Sequence, residues 1–493
     1  MRLSAVQKSS FLLAAALMTC NTQTVIAQAP PGAPPAGGGF GPNLATLNYT
    51  PAIYIDSTGF RADKSVAAAL VSGDVKNNAA SNVVIKSATD KLTGIYINGA
   101  DYTVSDSTIT LTGNAGPQDD VTGLGAGVMV AGGGSLTLRN VHITTNGLRS
   151  VTASNANGTL KVYDSTLISN GADVPYENTV VGSGPGYVGP PEPLGIRGNA
   201  RGTNVFGNAK AYYYNSTIIA KGWGAMSTDA ATPDVYLEVN DSIVKVLDSG
   251  YGTYADNGCK VVFNNTKSES ATYTGIISGS GKIYLNNVTE TKAINGVMLH
   301  APGQDFVRVA TLELKGGSFR TQEAVVLVKS HNADIVIDGV QLLPRNGEIL
   351  RSVINDSKRS AILRWLNSAD KSRPPVTGPV TGIRATLRNM TMKGNIVHAD
   401  TMRNMALTLE ALKWTGALLG SIYTVTDVSI SMGAGSSWKA TADSRVTLLN
   451  ATDAKVFDAA RGVTITAIAG AGTTLSGKYM LASGGLLNVK KAG

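Results

Sequence analysis

Two phrases set 24 residues apart decide how this chain folds: LTLRNVHITTNG, Leu136 to Gly147, and LKVYDSTLISNG, Leu160 to Gly171. Both read apolar-x-apolar-x-(Asn or Asp)-small-x-apolar, with Asn140 and Asp164 in the shared position and a glycine closing each phrase. Alternating apolar residues turn one face of a strand inward. The Asn or Asp then bonds to nearby backbone and tolerates left-handed angles, so the chain bends and a second strand begins. The phrase recurs outward in both directions. It is centred on Asp106 in YTVSDSTITLTGN, Asn215 in YYYNSTIIAKG and Asp241 in YLEVNDSIVKV. Asn265 in VVFNNTKSES, Asn287 in IYLNNVTETK, Asp338 in IVIDGVQLL, Asn389 in ATLRNMTMKG and Ala411 in LTLEALKWTG continue it.

A chain of 493 residues would ordinarily divide into several globular domains. A repeat of about 22–26 residues predicts one core that lengthens rung by rung instead. Composition agrees: 15% of residues are charged, 6% aromatic, and 56 are glycine, which suits short strands and tight turns. With the bends in register, successive rungs stack into an all-β, single-chain parallel coil, each rung covering its neighbour's edge.

This grammar resembles the right-handed parallel β-helix of the pectate-lyase-like superfamily over residues 50–435. The resemblance implies a solenoid with long side loops, and it leaves function open because one coil serves lyases, hydrolases, isomerases and adhesins. No catalytic set of the superfamily carries over. Polygalacturonase-like hydrolases bear Asn-Thr-Asp, Asp-Asp and Gly-His-Gly phrases, of which only Asp119–Asp120 has a counterpart here. The calcium-binding aspartates and Arg-x-Pro phrase of pectate lyases have none. Residues 436–493, with GAGSSWKATADSRVTLLNA and GLLNVKK, resemble the closing rungs of autotransporter passengers and secreted β-helix proteins, where a Trp-bearing strand shields the open end.

Ahead of the coil, Arg2 and Lys8 precede the apolar run Phe11–Met18, which is too short to span a membrane. VIA, Val25 to Ala27, offers a cleavage site, so residues 1–27 read as a secretory signal and the protein as periplasmic or extracellular. A lipoprotein beginning at Cys20 is the alternative, disfavoured by the bulky Met in LMTC. Residues 28–49 form a Pro/Gly-rich leader. Cleavage leaves Cys259 as the sole cysteine, so no internal disulfide is expected, and a net charge of +6, compatible with an anionic partner. No later segment reads as a transmembrane span.

The beat breaks twice, from Ala172 to Lys210 and from Asn346 to Gly382, the latter holding LRSVINDSKRSAILRWLNSADKSRPP with Trp365. Long turns in such coils pile onto one face and build sites. The first break carries Tyr187, Arg197, Asn199 and Arg201, and paired arginines grip carboxylates or sulfates through forked hydrogen bonds. Alternatively, the same arginines clamp the loop to acidic neighbours. The next rungs add Trp223, Ser227 and Asp229, then Asp248, Tyr251, Tyr254, Asp256 and Lys260. Asp229 and Asp256 are 27 residues apart, about one rung plus a bulge, so stacking brings two carboxylates together for acid/base work, Ca²⁺ or substrate binding. The glycines of GWG and SGYG allow close backbone approach, and Trp223 with the tyrosines offers a platform for sugar rings.

Other signals are weaker. His142, His300, His331 and His398 share no metal-ligand spacing, so no zinc is expected. No nucleophile elbow, phosphate loop, haem signature or basic–aromatic interleaving for nucleic acid occurs. Cys259 reads as packing, and PQDD with Asp119 and Asp120 as a solvated turn.

The expected function is an exported enzyme acting on a carbohydrate or small acidic substrate. In a lyase-type elimination, Arg197 and Arg201 neutralise the substrate carboxylate while Tyr251, Tyr254 or Lys260 takes the α-proton. Tyr187, Asn199, Trp223, Ser227 and Asp248 would hold the substrate. Hydrolysis would rest on Asp229 and Asp256, and isomerisation would use the same groups. The alternative is a non-catalytic glycan-binding or adhesin-like surface protein.

Overall fold

A computed structural model describes residues 47–116, 119–174, 189–191, 194–229, 234–300, 307–355, 381–420 and 428–491. Within them the chain is an all-β solenoid of 39 strands joined in one sheet whose pairings are nearly all parallel. Three ladders of strands run along the axis and make three faces.

Face one starts where Thr50–Asp56 pairs with Leu92–Asn98 and ends at Leu418–Leu419. Face two is traced by Leu136, Leu160, Ala211, Leu237, Val261 and Ile283, each opposite the next and all fully buried. Face three is traced by Ile143, Leu167, Ile218 and Val244. The long strand Ser135–Thr145 passes through the bend, serving face two before Asn140 and face three after it.

The bends show why the repeat was readable. Asp106, Asn140, Asp164, Asn215, Asp241, Asn265, Asn287, Asn389 and Ala411 all hold φ between 47° and 56°. Ordinary side chains resist that region by about 1–2 kcal/mol, while Asn and Asp enter it more readily. Asn82 opens the series at 51°. The rung of Asp338 is shifted by one: Gly339 takes the left-handed place with φ 61°, and Asp338 accepts hydrogen bonds from Asn389 and Arg388. Side-chain amides link rungs, Asn265 donating to Asp241 at 3.1 Å and Asn287 to Asn265 at 3.0 Å. The small residue after each bend also closes the corner. Ser216 Oγ donates to the Tyr214 carbonyl at 2.7 Å and accepts from the Ser165 amide of the preceding rung at 3.2 Å.

Both ends are closed by antiparallel ribbons, Leu70–Val75 against Ala79–Ser87 and Gly477–Met480 against Leu486–Lys491. They cover edges that would otherwise template further strands. Parallel pairing continues through Leu486–Lys491, so residues beyond 435 extend the same ladders. Trp438 is not the shield anticipated for a terminal strand. It lies in the core, stacked on Trp414 with ring centroids 4.7 Å apart, and its Nε1–H donates to the Gly416 carbonyl.

Candidate functional site

The outer side of face one carries a second apolar cluster, separate from the core, formed by Leu194, Ile196, Trp223, Tyr251, Tyr273 and neighbours. Ala225, Met226 and Ala255 pack in the core, whereas Trp223 and Tyr251 join the outer cluster with Tyr254 against it. Trp223 and Ala225 are two residues apart and would share a face in a regular strand, so alternation breaks here, where Trp223 is held left-handed. Of the first long break, the segment Leu194 to Ala200 lies over this surface. Arg197 fastens it by its backbone, its amide donating to Ser249 Oγ and its carbonyl accepting from the Trp223 amide at 2.7 Å. The Arg197 side chain is exposed. Asn199 is a clamp within the loop, its side chain exchanging both hydrogen bonds with the Ala172 backbone.

Beneath the loop lies a largely buried ionic network. Arg201 Nη2 is 2.7 Å from Asp120 Oδ2 and Arg201 Nη1 is 2.7 Å from Asp229 Oδ2. Arg149 approaches the other Asp120 oxygen at 3.3 Å, and Asn204 donates to the Asp120 carbonyl. Burial alone would push the Asp120 carboxyl up, but the Arg149 and Arg201 charges outweigh it and hold the group below its ordinary value. Burial likewise opposes the charge on Arg201, and Asp229 with Asp120 overcomes that opposition. The Trp223 ring lies under both guanidinium groups, 4.6 Å from Arg149 and 5.5 Å from Arg201, with Trp223 itself at φ 61°. A bulky residue held left-handed costs about 1–3 kcal/mol and persists only where its surroundings fix it.

Asp119 and Asp120 therefore form no solvated turn: they open the short helix Asp119–Thr122 and are 7% and 1% exposed. A pair of acids is normally solvated, but here Lys91 pairs with Asp119 and two distant arginines supply the counter-charge of Asp120. A signal was present. Asp120 precedes a run without charge up to Arg139, and Arg149 stands as the only Lys, Arg, Asp or Glu between Arg139 and Lys161.

Register puts the two expected aspartates on adjacent rungs. Thr228 is opposite Ala255, so Asp229 and Asp256, which follow them, occupy adjacent rungs about 4.8 Å apart along the axis. The same outward column continues through Ser278, His300 and Lys329. The Asp229 side chain is 28% exposed, the opening of the cluster to solvent, while Asp256 is buried. Tyr251 O–H and Ser227 Oγ share a hydrogen bond of 2.8 Å, and the Tyr251 and Tyr254 rings are 5.5 Å apart. Burial pushes the Tyr251 phenol up to about 12. Burial and the Asp256 charge drive Tyr254 well above its ordinary value. Gly224 sits opposite Tyr251, where a Cβ would overlap the ring, so the GWG glycine serves packing.

Two expected participants lie apart. Lys260 is on face two, its ammonium 5.1 Å from the Tyr284 ring and 5.7 Å from that of Tyr236. Asp248 is exposed next to the Ser249 anchor of the loop. Tyr187 lies outside the described residues, as does Trp365 of the second break. Cys259 is buried in the core, where burial raises its thiol pKa. Among the described residues no three His, Cys, Asp or Glu side chains converge to hold an ion, so neither Ca²⁺ nor another metal has a described site. None of the described helices is long and apolar enough to cross a membrane.

The fold and this cluster define an all-β parallel solenoid with a buried ionic network on the outside of one face. Compared with known proteins, the chain matches no family model and no curated protein.

Proposed function

We propose that this chain is an exported enzyme of the pectate-lyase-like superfamily that acts on a carbohydrate, with Asp229 and Asp256 as its acid/base pair. The adjacency of these two carboxylates on neighbouring rungs of face one carries the reading. Neighbouring rungs rise by about 4.8 Å, so the two side chains issue from adjacent strands, from which a carboxylate pair can flank a glycosidic bond. Arg201 holds Asp229 in place through an ion pair of 2.7 Å, and Tyr254 lies beside Asp256.

Elimination fits the geometry less well. Arg201 is already neutralised by two carboxylates, the tyrosine phenols are pushed away from the basic form, and Lys260 is on another face. Mass spectrometry of the mature protein with acidic and neutral polysaccharides tests the proposal. Products carrying one added water, lost in Asp229→Asn and Asp256→Asn, support it. Unsaturated products without added water restore elimination. The second reading, a non-catalytic glycan-binding protein, is favoured by one observation: Arg201, the buried cation of this cluster that bridges both carboxylates, is fully occupied by Asp120 and Asp229. Retained glycan binding with no new mass establishes it.

A further inference from the structure

Face two, on the far side of a bend from the ionic cluster, presents a lattice that the linear sequence conceals. Its inward residues are the core line Leu160, Ala211, Leu237, Val261 and Ile283, so the residues between them point to solvent. Stacking places Lys210, Tyr236, Lys260 and Lys282 in one outward column. The neighbouring column runs Lys161, Tyr212, Glu238, and a third runs Arg139, Tyr163, Tyr214. Arg139, Lys161, Lys210, Lys260 and Lys282 are all exposed, and none of them forms an ion pair among the described residues. Two carboxylates stand on these columns: Glu238, which accepts from the Tyr236 hydroxyl at 2.6 Å, and Glu313, one rung beyond Tyr284.

From these observations we infer that face two binds an extended acidic polysaccharide. Charge selects a polyanion: five exposed cations on a regular sheet face stand against two acids, Glu238 and Glu313. The rings decide which polyanion. Tyr163 and Tyr214 stack on each other, centroids 5.0 Å apart and planes 9° from parallel, and Arg139 covers Tyr163 at 4.4 Å. Lys260 lies over Tyr236 and Tyr284. The π-faces are thus occupied, so they offer little to unpaired nucleobases, which bind by stacking on free ring faces. What faces outward is phenol hydroxyls and ammonium groups at a fixed rise of about 4.8 Å per rung. A chain rich in hydroxyls and carboxylates or sulfates matches this, lying along the axis and meeting a cation at each step.

This site is distinct from the Asp229–Asp256 pair, so it would hold a polymer while the pair acts on it, and the two fail independently. The test is affinity electrophoresis and calorimetry of the mature protein with polygalacturonate and dextran sulfate, with neutral dextran and a single-stranded oligothymidylate as comparisons. We expect binding to the acidic polymers that weakens as salt rises, and none to dextran. The triple variant Lys161→Gln, Lys210→Gln, Lys282→Gln should bind roughly tenfold more weakly, with unchanged circular dichroism and melting. Arg at the same three positions should keep the affinity. Binding unchanged by the Gln substitutions overturns the proposal, as does absence of binding to either acidic polymer. Tighter binding to the oligothymidylate, lost in the same variant, overturns it in favour of nucleic acid. Asp229→Asn should leave this binding intact, so a silent catalytic assay does not count against it.

Discussion

Replacing Arg201 by Met separates a structural clamp from a free substrate cation. The side chain is 5% exposed and spans Asp120 and Asp229 at 2.7 Å each, with its Nε–H donating to Asp120 at 2.8 Å. Met preserves most of the volume, so the cavity cost is small and the effect is electrostatic. Asp120, 1% exposed, retains Arg149 as its charged partner, through longer contacts of 3.3 and 3.4 Å. Removing one partner of a buried pair typically costs about 3–5 kcal/mol, because the remaining charge is left without compensation. Asp229 is partly exposed and regains water, so a value of about 3 kcal/mol is expected. Urea denaturation measures it, and Trp223 emission reports the site itself, since the ring loses one of its two guanidinium neighbours. Arg197→Ala, by contrast, removes an exposed side chain and should change stability by no more than about 0.5 kcal/mol. If Arg201→Met stays within about 1 kcal/mol of the parent with unaltered Trp223 emission, the buried-network account is wrong.

Three further outcomes follow from the same coil. His300 and His331 are buried, with desolvation lowering their pKa values to about 3 and about 4, and His331 facing Arg403 while His300 faces His331 and Lys329. Because the unfolded imidazoles take up protons near pH 6.5, stability is complete above that pH and falls as pH drops toward the folded values. At pH 5 each should have lost about 2 kcal/mol, and equal urea midpoints at pH 7.5 and 5 would contradict this. Glu290 is buried inside the coil and accepts from Ser268, Thr274 and the amides of Ser270, Thr291, Lys292 and Ala293. Glu290→Ala should strand these donors and cost about 4 kcal/mol, read by denaturation. Ala411 occupies the left-handed bend at φ 48° without an amide, so Ala411→Asn should stabilise by about 1 kcal/mol and raise the melting temperature.

The two loops that interrupt the repeat were legible as departures, but their roles were not. Arg197 and Arg201 stand four residues apart and look equivalent in sequence, yet one side chain is exposed and the other buried between carboxylates. Lys260 follows Asp256 closely in sequence, but a turn carries it from face one to face two, where tyrosines surround it. The adjacency of Asp229 and Asp256, in contrast, was readable because it depends only on the length of one rung.

The sequence by itself determined the solenoid. Each bend is a local event: an Asn or Asp in the left-handed region, a small residue behind it, and alternation on either side, all encoded within a dozen residues. Stacking those rungs then follows from burial of one strand face. Only the tertiary structure decided which charges meet. Asp120 and Arg201 are 81 residues apart, and the Lys and Tyr columns of face two are assembled one residue per rung. Such pairings depend on register across several rungs and on the turn that places each residue on one face or another. A single inserted residue in a turn moves a side chain between faces without disturbing the repeat that builds the coil.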